Sequence, residues 1–150
     1  IFASRQNYAC CDWTPLYDEQ MYAILPKDYS LAEDGVFPLE DFAGQEFLMP
    51  YGRFDIDVRA ALDPLGVRLN AQSCRVDDET VIRMVGRGLG VSMMTELMIR
   101  GRTDDVVCVS VEPAAIRELG MGTHIRKKET ENIRKLKGCI LEFIREHTKI

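Results

Sequence analysis

The apolar residues of this chain fall in short runs closed off by turn-forming residues. Met21-Tyr22-Ala23-Ile24-Leu25 stops at Pro26, and Glu46-Phe47-Leu48-Met49 stops at Pro50-Tyr51-Gly52, so both read as buried strands. Val106 to Val111 is continuously apolar and β-branched, which suits a strand covered on both faces. Val91-Ser92-Met93-Met94 reads as another strand. In 67–72 and 119–125 apolar and small or polar residues alternate, the pattern of a half-buried strand. Helical signals lie between these runs. A short helix is expected from Pro38 to Ala43, ending at Gly44, and a longer one from Asp55 as N-cap to Leu65, closed by Gly66 and strained near Pro64. Asp77-Asp78-Glu79-Thr80 places acids in a first helical turn, ahead of Val81, Ile82, Met84 and Val85. Thr95 to Ile99 makes a helical turn ended by Gly101. The closing helix, from about Thr130 to His147, carries Ile133, Leu136, Ile140 and Ile144 as one stripe. Strands alternating with helices predict an α/β protein with a mainly parallel sheet.

Composition narrows this picture. With 150 residues, 46% of them hydrophobic and 29% charged, the chain can bury a core without disulfide or metal staples. No apolar run approaches the ~20 residues of a bilayer span, and no membrane association is expected. The chain opens Ile1-Phe2-Ala3 and its first methionine is Met21, so it reads as a piece of something longer, cut within a strand. Net charge is −5, yet residues 126–150 hold eight bases against four acids. Bases mixed with acids at helical spacing describe a solvated helix face, and the acidic body is unsuited to a phosphate backbone. Five cysteines, an odd number with no C-x-x-C spacing, point to a reducing cytoplasm. Cys74 and Cys108 sit in apolar surroundings as small buried hydrophobes. The adjacent Cys10 and Cys11 are expected to point apart in extended chain. His124 and His147 lack partners at ligand spacing, so neither a metal nor a cofactor is expected.

Few residues suggest chemistry. Gly86-x-Gly88-x-Gly90 follows a helix and precedes a strand, the reverse of a dinucleotide loop, and reads as a C-cap and tight turn. Asp77-Asp78-Glu79 cannot converge on one point and caps a helix. Ser92 lacks a nucleophile elbow, and Trp13 reads as a packing anchor. What stands out is three strand-to-helix loops, where α/β proteins bind ligands. These are Met49-Pro50-Tyr51-Gly52-Arg53, Cys74-Arg75-Val76-Asp77-Asp78 and Ser92-Met93-Met94-Thr95. Arg53 and Arg75 supply charge, Tyr51 a flat face with a hydroxyl, and Met93 and Met94 an adaptable apolar wall.

Trp13-Thr14-Pro15-Leu16-Tyr17-Asp18-Glu19, then Ala23 to Ala32, then Leu39-Glu40-Asp41-Phe42-Ala43, and above all Thr80 to Met94, occur in an order that resembles the effector-binding domain of LysR-type transcriptional regulators. The resemblance covers residues 12 to about 147. It implies a type 2 periplasmic-binding-protein-like α/β fold, with a small effector held in a cleft between two subdomains. Residues 1–19 would be a remnant of the first subdomain, 20–25 a hinge strand, 26–118 the complete second subdomain, 119–126 the return hinge strand, and 127–150 the C-terminal helix of the truncated first subdomain. Pro50, Tyr51, Gly52, Arg53, Asp77, Asp78, Ser92, Met93 and Met94 would lie at the effector. The helix of residues 55–65 resembles one used in pairing, which implies a homodimer or higher homo-oligomer. DNA would be contacted only by a winged helix-turn-helix missing before Ile1. The expected role is a cytoplasmic sensor of a small, anionic metabolite and not an enzyme. Two alternatives stand beside it. One is a solute-binding domain of a transport system, which a lipobox or signal peptide upstream would mark. The other is a small α/β enzyme, for which no acid/base pair is visible.

Overall fold

A computed structural model describes residues 2–5, 9–31, 35–49, 54–73, 75–126 and 129–147. Contacts divide the chain into unit 1, Ile1–Asp18 with Arg117–Ile150, and unit 2, Glu19–Ile116. The strands are β1 (Phe2–Ser4), β2 (Cys11–Pro26), β3 (Phe37–Pro38), β4 (Glu46–Met49), β5 (Asn70–Ser73), β6 (Ser92–Thr95), β7 (Val106–Glu112) and β8 (Ile116–His124). The helices are α1 (Phe54–Leu62), α2 (Asp78–Gly86), α3 (Glu96–Ile99) and α4 (Glu131–His147).

In unit 2, β2 is flanked on both sides by antiparallel partners. Ile24 faces Ser92 of β6 and Cys108 of β7. Beyond β7 lies β3, parallel to it. On the other side the Val91 amide donates to the Glu46 carbonyl and the Leu48 amide to the Val91 carbonyl, at 2.8 Å each, so β4 runs parallel to the entry of β6. β5 continues in parallel beyond β4, with Glu46 opposite Asn70 and Met49 opposite Ser73. The expected mainly parallel sheet is thus mixed, because β2 runs against both of its neighbours. Gly90 permits the β4 contact. A side chain there would strike the Glu46 carbonyl, and its φ of +156° is one that L residues rarely adopt.

The apolar runs feed both faces of this sheet, because successive side chains alternate. Ala23, Leu25, Phe47, Met49 and Met93 enter one core, closed by Val58 and Leu62 of α1. Ile24, Leu48 and Met94 enter the opposite core, closed by Val81, Ile82 and Val85 of α2 and Ile99 of α3. Phe42 and Phe47 meet edge to face, with centroids 5.3 Å apart.

Element bounds shift modestly from the sequence expectation. The helix expected to Ala43 is a 3₁₀ turn over Leu39–Phe42. Asp55 lies inside α1, not ahead of it as N-cap, and the Pro64 segment is a separate 3₁₀ turn that ends at Gly66 with φ +69°. Residues 67–69 are not strand.

In unit 1, β1 pairs antiparallel with β8, Phe2 opposite Met121 and Ser4 opposite Leu119. Trp13 is partly buried, and its indole N–H donates to the Glu118 carboxylate, which also pairs with Arg5 at 3.0 Å. Gly120 lies under the Trp13 ring, where a Cβ would collide with it. Along α4, Lys137 reaches Glu129 at 2.7 Å and donates to the Thr123 hydroxyl at 3.1 Å. Of the expected α4 stripe, Ile140 and Ile144 are partly buried, whereas Ile133 and Leu136 are exposed.

Candidate functional site

Within unit 2, β4, β5 and β6 run in the same direction, so Met49, Ser73 and Thr95 end at one edge of the sheet. Each strand then hands over to a helix, α1, α2 and α3 in turn. That brings three helix amino termini to the edge where open α/β sheets receive ligands.

Two of these termini already hold an anion. At α2 the Asp77 carboxylate accepts the Thr80 amide at 2.8 Å as N-cap. Hydrogen bonds from Thr80, with smaller help from the charges of Arg102 and Arg83, hold the Asp77 carboxyl below the usual carboxylate range. At α3 the buried Glu19 carboxylate accepts the Leu97 amide at 2.7 Å. At each of these two helix starts one first-turn N–H, that of Thr80 or of Leu97, is thus already bound by a carboxylate of the chain itself. The start of α1 is the third terminus, and Pro50, Tyr51, Gly52 and Arg53, which lead into it, lie outside the described residues, as does Cys74.

Asp77 is exposed and Asp78 partly so. Ser92, Met93 and Met94 are each 0% exposed. Met93 and Met94 belong to the two opposite cores, and Ser92 donates its hydroxyl to the Leu48 carbonyl at 2.8 Å. The apolar wall expected from these methionines is core packing, because alternation along β6 sends one to each face of a sheet covered on both sides.

Two cavities within unit 2 lie elsewhere. One of about 400 Å³ is lined by Arg83, Gly86, Arg87 and Asp105 at the C-terminal end of α2. The other, about 240 Å³, includes Arg59, Leu62, Asp63 and Arg68 at the end of α1. Arginines there complement the negative end of a helix dipole. Among the described residues no three His, Cys, Asp or Glu side chains are grouped as a metal ion would need, and no helix is long and apolar enough to cross a membrane.

Residues 1–145 match the family described as the LysR substrate binding domain. The chain belongs to this family. Among solved structures, the Synechocystis CcmR regulatory domain in complex with 2-PG superposes with a TM-score of 0.80 at 12% identity, covering 97% of this chain and 73% of that one. The regulatory domain of MetR, a LysR family regulator from N. meningitidis, gives 0.74 at 18%, covering 97% and 68%. The reduced OxyR regulatory domain from Pseudomonas aeruginosa gives 0.73 at 18%, covering 97% and 71%. No curated protein sequence matches the chain. The fold is the type 2 periplasmic-binding-protein-like fold of LysR regulatory domains.

For this LysR domain, the residue that sequence reasoning overlooked is Glu19. It stands two positions before the apolar run at Met21, in the exposed-looking Asp18-Glu19-Gln20. Nothing local marks its burial. Only the pairing of Met21 with Thr95 carries it beside the start of α3.

Proposed function

We propose that this chain is the effector-sensing part of a DNA-binding transcriptional regulator, with the C-terminal edge of β4, β5 and β6 as one wall of its effector cleft. Family membership over residues 1–145 is the observation that carries the regulatory role. DNA is contacted by another part of the regulator, which works as a cytoplasmic homodimer or higher homo-oligomer, and the domain performs no catalysis. The effector acts by binding two arrangements of the domain with different affinity.

The effector is a small metabolite. Because Asp77 and Glu19 occupy the starts of α2 and α3, an anionic group on it is received by the loop of residues 50–53, where Arg53 supplies the charge and Tyr51 a stacking face and hydroxyl. Asp77 and Asp78 face donor groups at the effector's other end. Ser92, Met93 and Met94 hold the strand beneath and keep its end in register.

A thermal-shift screen of the chain against small metabolites, weighted to carboxylates and phosphates, identifies the ligand. Arg53→Ala and Tyr51→Ala are then expected to weaken its binding at least tenfold while leaving the unliganded melting temperature in place. Unchanged affinity in both variants would place the effector elsewhere. A ligand that binds but leaves DNA binding of the full-length regulator unaltered would remove the sensing role.

A further inference from the structure

The expectation that Cys10 and Cys11 point apart fails. Cys10 sits in a turn and Cys11 opens β2, and their sulfurs lie 3.8 Å apart. Cys10 is exposed and Cys11 partly so, and both are free thiols. Their backbone is held in place, since the Ile125 amide donates to the Cys10 carbonyl at 3.0 Å and Gly122 leaves room beside the Cys11 Cβ.

A direct disulfide suits this pair poorly. Adjacent Cα atoms are ~3.8 Å apart, short of the ~4.4–6.8 Å that relaxed disulfides span. A single soft atom between the sulfurs suits it well. Two bonds of ~2.3 Å, the length of a zinc–thiolate bond, meeting between a right angle and the tetrahedral angle place their sulfurs ~3.3–3.8 Å apart, a range that the pair meets at its upper end. A zinc ion needs four donors, and no third metal-binding side chain joins the pair among the described residues. The soft centre must be one satisfied by two protein thiolates.

We propose that Cys10 and Cys11 form a dithiol site for a trivalent arsenical that keeps one substituent of its own. With an arsine oxide, both S–H bonds and the arsenic–oxygen bonds break, two arsenic–sulfur bonds form, and one water leaves. Arsenic stays trivalent and no oxidant is involved. Burial, with the Cys10 thiol alongside, raises Cys11 above the usual thiol range. The raised Cys11 thiol disfavours attack as a thiolate and leaves condensation with loss of water open.

The test uses the whole chain with one equivalent of phenylarsine oxide. Intact-mass spectrometry is expected to show one phenylarsenic group per chain, with two of the five thiols lost to titration. Cys10→Ser and Cys11→Ser, each checked for native circular dichroism, should retain at least tenfold less adduct. Cys74→Ser, Cys108→Ser and Cys139→Ser should retain it fully. On the unaltered chain, 1,2-ethanedithiol should strip the group at a concentration where a monothiol does not. Persistence of the adduct in both Cys10→Ser and Cys11→Ser, or equal stripping by the monothiol, would overturn the site.

Discussion

The two units differ in how they are held. Unit 2 encloses two apolar layers, with Phe37, Phe42, Phe47, Leu48 and Leu62 all at 1% exposure or less. In unit 1, Met121 is the sole buried hydrophobic side chain among the described residues, and α4 buries none. Unit 1 rests instead on the β1–β8 ladder and on polar pairs such as Trp13–Glu118, Arg5–Glu118 and Lys137–Glu129. Apolar burial contributes about 1.5–3 kcal/mol per large side chain, whereas an exposed ion pair contributes at most about 1 kcal/mol. The contrast teaches that rigidity here belongs to the unit that presents the candidate edge, and that unit 1 is the softer part.

Phe47→Ala tests this most severely. It should cost about 3–5 kcal/mol, read as a lower urea midpoint, because it empties a site between Phe42 and the α1 layer. A loss under about 1 kcal/mol would mean that the layers are not tightly packed. Gly90→Ala comes next, at more than about 1 kcal/mol, through collision with the Glu46 carbonyl and the demand for a positive φ. Hydrogen exchange then compares the units directly. Amides of β2 paired with β6 and β7 should be protected longest, and those of α4 should exchange far earlier. Equal protection would erase the distinction.

Acid titration gives a smaller effect with a sharper reading. Asp77 in unit 2 and Glu129 in unit 1 are both held below the usual carboxylate range. The unfolded chain therefore binds protons more readily than the folded one. Their stabilisation is fully present above the unfolded value, near pH 4, and is lost as pH falls through the folded value. The causes differ. A hydrogen bond from Lys137, with the charges of Lys137 and Arg134, lowers Glu129, whereas the amide and side chain of Thr80 lead at Asp77. Salt should weaken the Glu129 contribution and leave most of the Asp77 one, read from melting curves of Glu129→Gln and Asp77→Asn between pH 3 and 6 at low and high ionic strength. Leu136→Ser, at a position 58% exposed, should change stability least, within about 0.5 kcal/mol.

Much of unit 2 is legible along the chain. The run 46–49 is β4 to the residue, Asp77 caps α2 as its acids suggest, and Gly88 takes a turn with φ +73°. The candidate site is less so. Its strand-to-helix order can be read from the pattern, but the burial of Met93 and Met94 could not, because an apolar pair beside a loop looks alike whether it faces ligand or core. The occupancy of the α3 start was also hidden, since it depends on Glu19, far from Leu97 in the chain and brought to it by strand pairing.

The sequence by itself determined what depends on neighbours a few positions apart: strand and helix segments, caps, turns and the α/β class, and through its motif order the family. Tertiary structure alone decided what depends on distant partners: the antiparallel placing of β2 between β6 and β7, the two-sided core, the Glu19 carboxylate seated at α3, and the meeting of the Cys10 and Cys11 sulfurs. Local backbone preference is encoded over a single turn or strand. The direction of a side chain is set by the surface that folds against it.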